Sequence, residues 1–301
     1  MEYETFKNKV VTTLGEMLDD GMEVGTGEVM KLNGRKLDSI YIAKKGQEVF
    51  PTYYLNDLYE IYEDGEPIES IAYMLMAMDL RDTAAFFSGE EQVVNELMDF
   101  EKVKERILLK LINTEKNKEL LADMPSVKYL DLSAVFFVVL AEDDFSYQAI
   151  VNNNLLETWG KKKKELLKLA AENTKRINQS AVMSLDDMLA AAIPSSDFPD
   201  DADGYEPSGA PILMISSRTR CCGAVYMMDT SLLAHCAENF DDDVIIIPSS
   251  IHEILVVPAS EIDRENVERM VHEVNRCAVD PKEFLSDHSY IYSREKNKVT
   301  M

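Results

Sequence analysis

Long apolar runs are missing from this chain. The longest, Ala134 to Ala141 (AVFFVVLA), falls far short of the ~20 residues that span a bilayer, so no membrane partner is expected. The opening MEYETFKNKVV has no basic start followed by an apolar run, and no secretory signal is expected from it. Cysteine is scarce: four occur in 301 residues, none in a C-x-x-C pair. That argues against a disulfide framework and a zinc ribbon. Positive charge is in deficit, with 31 Lys and Arg against 55 Asp and Glu, a net −24. Gripping nucleic-acid phosphates requires Lys and Arg to displace counterions, so the balance argues against direct nucleic-acid binding. Phosphate-cradling loops are also lacking. Gly25-Thr26-Gly27 has no third glycine and no following helix, and no G-x-x-x-x-G-K-S/T string occurs. No cofactor is expected. These absences together predict a soluble, reduced, cytoplasmic protein.

The remaining composition is that of an ordinary globular chain, 46% hydrophobic and 29% charged. A chain of this length buries roughly three quarters of the surface its unfolded state exposes, enough to fold without a metal or disulfide staple. Tyr3, Phe6, Val10, Leu14, Met17 and Leu18 fall at helical spacing and predict an opening amphipathic helix. Strand-like segments follow at 23–32, 37–43 and 48–54, with the hairpin signal Asn33-Gly34 between the first two. Helical patterns return after Pro51 and near Pro67, giving α-β-β-β-α-α.

The middle of the chain predicts a helix over 91–101 and another over 115–124, ended by Pro125. Val103 to Ile112 reads as strand or helix. Leu130 to Leu140 reads as a buried strand, and Phe145 to Val151 as its return. Helices are expected at 155–159 and 161–176. Residues 194–211 change character: Pro, Ser and Gly break regular structure while Asp197, Asp200, Asp201, Asp203 and Glu206 add charge of one sign. This predicts a linker or surface loop between a region 1–193 and a region 212–301.

The last region reads as β-β-α-β-β-α. A strand pair is expected over 212–216 and 224–228, around the turn Arg218-Thr219-Arg220. A helix over 230–239 is capped by Asp229 or Thr230. Strands are expected at 244–247 and 253–257, then a helix from Ser260 to Ala278 with Ser260 and Asp263 in capping positions. A short strand near Tyr290 ends the series. Tight β-β connections favour antiparallel pairing. The fold class is therefore α+β, with mixed, mostly antiparallel sheets, flanking helices and room for two packed subdomains.

All four His (235, 252, 272, 288) and all four Cys (221, 222, 236, 277) fall in this last region. Metal ligation is not expected from them, because neither His252-Glu253 nor His272-Glu273 has a second His one turn on. Buried thiols and partly exposed imidazoles are the ordinary alternative. Ser249 or Ser250 near His252, or Ser286-Asp287-His288, supply the residue types of nucleophilic catalysis without a serine elbow to present them. Cys221 or Cys222, beside Arg218 and Arg220, is a candidate for a lowered thiol pKa. The basic run Lys161 to Lys164 and the tyrosine-rich stretch from Tyr53 to Glu63 read as a solvated helix face and as a half-buried strand passing into a helix.

The strings Ile247-Pro248-Ser249-Ser250-Ile251-His252-Glu253, Glu273-Val274-Asn275-Arg276, and Leu285-Ser286-Asp287-His288 with Tyr290 resemble those of a domain-of-unknown-function family of gut Firmicutes. Leu111-Ile112-Asn113, Lys116-Asn117 and Tyr129-Leu130-Asp131-Leu132 are similar too, so the resemblance covers nearly the whole chain. It implies a bacterial cytoplasmic protein, allows carriage on a mobile element, and supplies no catalytic residues. If the strings mark a polar surface, it centres on Ser249, Ser250, His252, Glu253, Asn275, Arg276, Asp287 and His288. The competing reading is structural, with a hydroxyl-bonded turn at Ser249-Ser250 and a pairing of Arg276 with Asp287. The leading functional expectation is a non-catalytic binding or accessory module with a protein partner. Two alternatives stay open. One is an acidic decoy of a basic nucleic-acid-binding protein. The other is a hydrolase-type enzyme using the His, Ser and Cys group.

Overall fold

The computed structural model describes residues 1–46, 51–85, 91–141, 144–184 and 211–301. The chain divides into two compact units, Met1–Leu97 and Met98–Met301. The fold is α+β with antiparallel pairing throughout the described sheets. No helix among the described residues is long and apolar enough to cross a membrane.

In the first unit, α1 (Tyr3–Met17) buries Phe6, Val10 and Leu14 on one stripe, as its spacing predicts. Strands β1 (Met22–Met30) and β2 (Lys36–Lys44) form a hairpin in register from Met22 opposite Lys44 to Met30 opposite Lys36. Asn33 and Gly34 at its turn both take positive φ, +62° and +71°, the conformation that makes Asn-Gly a hairpin signal. Strand β3 (Tyr53–Tyr54) adds to β2; the first part of the strand expected over 48–54 lies outside the described residues. Helices α2 (Leu55–Glu63) and α3 (Ile68–Ala85) complete the unit around Phe6, Leu14, Ile40, Leu55, Ile71 and Leu75. The tyrosines are absorbed locally: Tyr59 packs edge-on to Tyr3 and Phe6, and Tyr62 lies against Phe6. Helix α4 (Glu91–Met98) follows.

The second unit opens with α5 (Phe100–Val103) and holds two sheets. In the four-stranded sheet, β6 (Leu132–Ala141) is central. Strand β4 (Ile107–Asn113) runs along one edge, while β5 (Ser126–Tyr129) and β7 (Asp144–Ile150) share the other. Strand β4 resolves the ambiguity at 103–112: every residue in it is buried, so it shows neither a helical nor an alternating pattern. Its outer edge is covered by α8 (Lys163–Ile177). The Thr174 hydroxyl accepts from Leu109 N–H, and Asn173 donates to the Ile107 carbonyl, which removes an open edge. Short helices α6 (Lys118–Leu121) and α7 (Asn153–Thr158) fall between β4 and β5 and between β7 and α8 in the chain. The basic run Lys161 to Lys164 leads into α8, with Lys162 at its N-cap and the Lys161 ammonium over the Phe100 ring.

The six-stranded sheet has the order β13-β12-β10-β11-β9-β8. Its strands are β8 (Ser180–Ser184), β9 (Leu213–Ser217), β10 (Val244–Pro248), β11 (Glu253–Pro258), β12 (Tyr290–Ser293) and β13 (Lys298–Thr300). Strand β8 precedes the acidic segment 194–211 and β9 follows it, and the two pair antiparallel. The segment itself, apart from Pro211, lies outside the described residues. Helices α9 (Thr230–Phe240) and α10 (Arg264–Cys277) pack on this sheet, α9 capped by Asp229 as expected.

Two local expectations are corrected. Residues 223–228 form a 3-10 helix and not a strand paired with β9. Cys222 takes a left-handed conformation, φ +57°, and turns the chain out of strand geometry. Gly223 to Met227 are all buried, so no solvent face exists to produce alternation. The helix expected from Ser260 starts at Arg264. Asp263 is its cap, accepting from Glu265 N–H, while Ser260 N–H is taken by the Asp242 carboxylate.

Candidate functional site

A cysteine pair sits where the loop after β9 meets the face of the four-stranded sheet. Three anchors fix that loop. The Ser217 hydroxyl bonds both Cys221 N–H and the Cys221 carbonyl, at 3.0 and 2.9 Å. Asn178, fully buried, donates to the same carbonyl at 2.8 Å and accepts from the Thr219 hydroxyl at 2.6 Å. Arg218 N–H reaches the Gln179 carbonyl at 2.8 Å. Gly223 is then a steric requirement. A Cβ there would lie 2.4 Å from Ser217 N, 2.5 Å from the His252 carbonyl oxygen and 2.7 Å from Ser216 C, all backbone.

The sheet supplies the floor. Paired residues of antiparallel strands share a face, so Leu108 and Phe137, Lys110 and Val135, and Val139 and Gln148 are cross-strand neighbours. Cys222 packs with Leu108, Phe137, Val139 and Phe145. Lys110 stands buried among them, only 5% exposed, with its ammonium 5.2 Å from the Phe137 ring centre and 2.7 Å from Gln148 Oε1. The Gln148 amide nitrogen donates to the Phe145 carbonyl and faces Cys221 Sγ at 3.7 Å. The two sulfurs are 3.6 Å apart. His252 closes the group: Cys222 N–H donates to its Nδ1 at 3.1 Å, and its Nε2 lies 3.9 Å from a Glu283 oxygen.

The electrostatics follow from this packing. The Cys222 thiol, donating to Cys221, pulls the Cys221 thiol well below the ordinary cysteine range. Burial opposes this, and the His252 imidazole and the Lys110 charge reinforce it. Cys222 moves the other way, raised by the same hydrogen bond and then by burial. One negative charge is thus shared by two sulfurs and centred on Cys221, the more exposed of the two. Burial lowers the Lys110 ammonium below its usual range. Two influences oppose each other at His252. The Cys221 sulfur, then Glu283 and Glu253, raise its pKa, while burial lowers it. The bond from Cys222 N–H to Nδ1 also favours the neutral ring, whose proton then sits on Nε2 facing Glu283.

The residues singled out from sequence fall into two groups. In the first, Ser249 Oγ donates to Glu253, and Ser250 Oγ accepts from His252 N–H, a hydroxyl-bonded turn. Neither hydroxyl is directed at the imidazole by these bonds, so a serine–histidine pair is not assembled. In the second, Asn275 donates to the Ser286 carbonyl and to Asp287 Oδ1, and His272 lies 3.6 Å from the same oxygen. Asp287 is met by Asn275 and His272 and not by the expected Arg276, which is exposed, as is His288. Ser286 directs its hydroxyl at Asp131, so Ser286-Asp287-His288 is not a triad. The two groups touch through Ile251 N–H, which donates to the Glu283 carbonyl at 2.8 Å.

Sequence reasoning named Cys221, Cys222 and His252 separately and missed Lys110, Gln148, Asn178 and Gly223. The groups that favour the Cys221 thiolate are Lys110 and His252; Arg218 and Arg220 are exposed. A lone lysine inside ILLKLI and a glycine directly after Cys-Cys were the available signals. Among the described residues no group of three or more His, Cys, Asp or Glu could hold a metal ion.

Residues 3–294 match a family described as a family of unknown function, DUF5688. The chain belongs to that family. No curated protein and no solved structure matches it.

Proposed function

We propose that the chain works through a thiolate at Cys221, as a thiol-dependent protein whose reactive centre lies in the second unit. The observation that carries this reading is the convergence of Cys222 Sγ, Gln148 Nε2 and the His252 ring on one partly exposed sulfur, with the buried Lys110 beside it. A buried lysine in a strand is costly to keep unless a nearby negative charge uses it. Among the nucleophile types considered, the sulfur is favoured over the serines, whose hydroxyls are held by Glu253, by His252 N–H and by Asp131.

Alkylation by iodoacetamide tests this. The groups facing Cys221 and its partner imidazole are Cys222, Lys110, His252, Glu253 and Glu283. A thiol whose folded pKa is depressed is already thiolate at pH 6, so its rate is nearly flat from pH 6 to 8. An ordinary thiol's rate climbs roughly tenfold per unit over that range. At pH 6 Cys221 reacts about tenfold faster than a free thiol of ordinary pKa, after allowing for the lower intrinsic nucleophilicity of a low-pKa sulfur. Cys221→Ser abolishes the flat component. A Cys221 rate that climbs roughly tenfold per pH unit would overturn the reading.

A second reading, a non-catalytic binding or accessory module, is favoured by a cleft of about 380 Å³ between α8 and the 3-10 segment, lined by Leu109, Leu167, Thr174, Val225 and Tyr226. That volume suits a small ligand. The acidic-decoy alternative rests on the net charge. The acids described at 241–243 hold turns, with Asp242 accepting from Ser260 N–H and Asp243 from Arg294 N–H.

A further inference from the structure

We propose that Cys221 and Cys222 form a peroxide-reactive dithiol, in which Cys221 attacks a hydroperoxide and Cys222 resolves it by closing a bond between the adjacent sulfurs. This rests on the thiolate reading of Cys221 and assigns that site a substrate class. Burial sets the division of labour. Cys221 is partly exposed and can meet a small oxidant, while Cys222, 2% exposed, can be reached only by its neighbour. The sulfurs already lie 3.6 Å apart, within hydrogen-bonding reach of each other.

The chemistry balances without a metal or a bound cofactor. The Cys221 thiolate attacks the terminal oxygen of the hydroperoxide. The O–O bond breaks, and the departing alkoxide leaves as an alcohol with a proton from solvent, equivalent to the one released when Cys221 ionised, leaving Cys221 as a sulfenic acid. The Cys222 sulfur then attacks the Cys221 sulfur. The S–O bond breaks, and water leaves with the Cys222 thiol proton. Two thiols and one hydroperoxide become one disulfide, one alcohol and one water. A small external thiol reverses the change, two of its molecules being oxidised to their own disulfide.

The bridge is built to be temporary. Adjacent residues on a trans peptide hold their Cα atoms ~3.8 Å apart, below the usual ~4.4–6.8 Å span of a disulfide. Such a bridge is strained, and strained bridges are the readily reduced ones. The left-handed turn at Cys222 and the close backbone around Gly223 hold the two thiols in this contact, so no other cysteine is needed. Cys236, buried, and the exposed Cys277 serve as internal controls.

The test treats the reduced full-length protein with equimolar tert-butyl hydroperoxide and reads intact mass and a peptide map. The wild type is expected to lose two hydrogens, mapped to a Cys221–Cys222 bridge that dithiothreitol reverses. Cys222→Ser is expected to stop at one added oxygen on Cys221, trapped by dimedone. Cys221→Ser is expected to leave position 222 unoxidised. Iodoacetamide labelling of untreated samples runs in parallel. Rapid alkylation of Cys221 without bridge formation overturns this inference and leaves the thiolate reading standing. A Cys221 alkylation rate that climbs roughly tenfold per pH unit removes both. A bridge from Cys221 to Cys236 or Cys277, or between two chains, also overturns it.

Discussion

Two polar clusters in the second unit use similar residues in opposite ways. Around Asp131 long-range hydrogen bonds hold one segment to another. The Ser286 and Tyr290 hydroxyls each donate to its carboxylate at 2.7 Å, and Asn113 donates to the Leu285 carbonyl at 3.0 Å. Burial, foremost, pushes the Tyr290 hydroxyl far above its usual range and keeps it a donor. The Cys221 centre also has its backbone held, by Ser217 and Asn178, while its sulfur meets the Cys222 sulfur, Gln148 Nε2 and the Phe145 carbonyl at 3.6 to 3.7 Å. One cluster uses its polar groups for docking. The other uses held backbone to place one partly exposed sulfur among several polar groups. A candidate site is therefore recognised by which groups its anchors bring to one exposed atom, more than by how many ionisable residues it gathers.

Four substitutions would break or sharpen this contrast. Gly223→Ala should have the largest effect, because its Cβ meets three backbone atoms that no rotamer change can move. A loss of about 3 kcal/mol in denaturant unfolding is expected, together with loss of fast Cys221 alkylation. Asp131→Ala should cost about 2 kcal/mol by leaving the Ser286 and Tyr290 hydroxyls without their acceptor. Cys221 alkylation should be unchanged, which separates docking from reactivity. Lys110→Met should do the reverse, changing unfolding by less than about 1 kcal/mol because the methionine fits an apolar site without a charge to desolvate. It should move the pH at which Cys221 alkylation levels off upward, read from the rate profile below pH 6, by removing a cation that favours the thiolate. Asp287→Asn should do least. It disturbs a partly exposed contact with Asn275 and His272, and a change within about 0.5 kcal/mol is expected.

The family resemblance becomes physical in the docking cluster. Asn113, Asp131, Ser286 and Tyr290 stand in three of the strings quoted from the sequence, and they meet in space. The elements that carried strong local signals were legible: α1 by its stripe, the Asn33-Gly34 hairpin, β6 by its aromatic and β-branched run, and α9 by Asp229. Short strands such as β5 and β8 were not, because their pairing comes from partners across the sheet and not from their own pattern. The 3-10 segment at 223–228 was misread for a related reason, since full burial erases alternation.

The net charge of −24, the scarcity of cysteine and the lack of long apolar runs are properties of the sequence alone, and they bound the protein's class without knowledge of any contact. The α+β class follows from local periodicity and turn chemistry, which act over a few residues. Only the tertiary structure decided the site. Lys110, Gln148, Cys221, Cys222 and His252 come from four separate segments. Neither the burial of a lysine nor the depression of a thiol pKa is a property of a residue; both arise from what the fold places within a few ångströms.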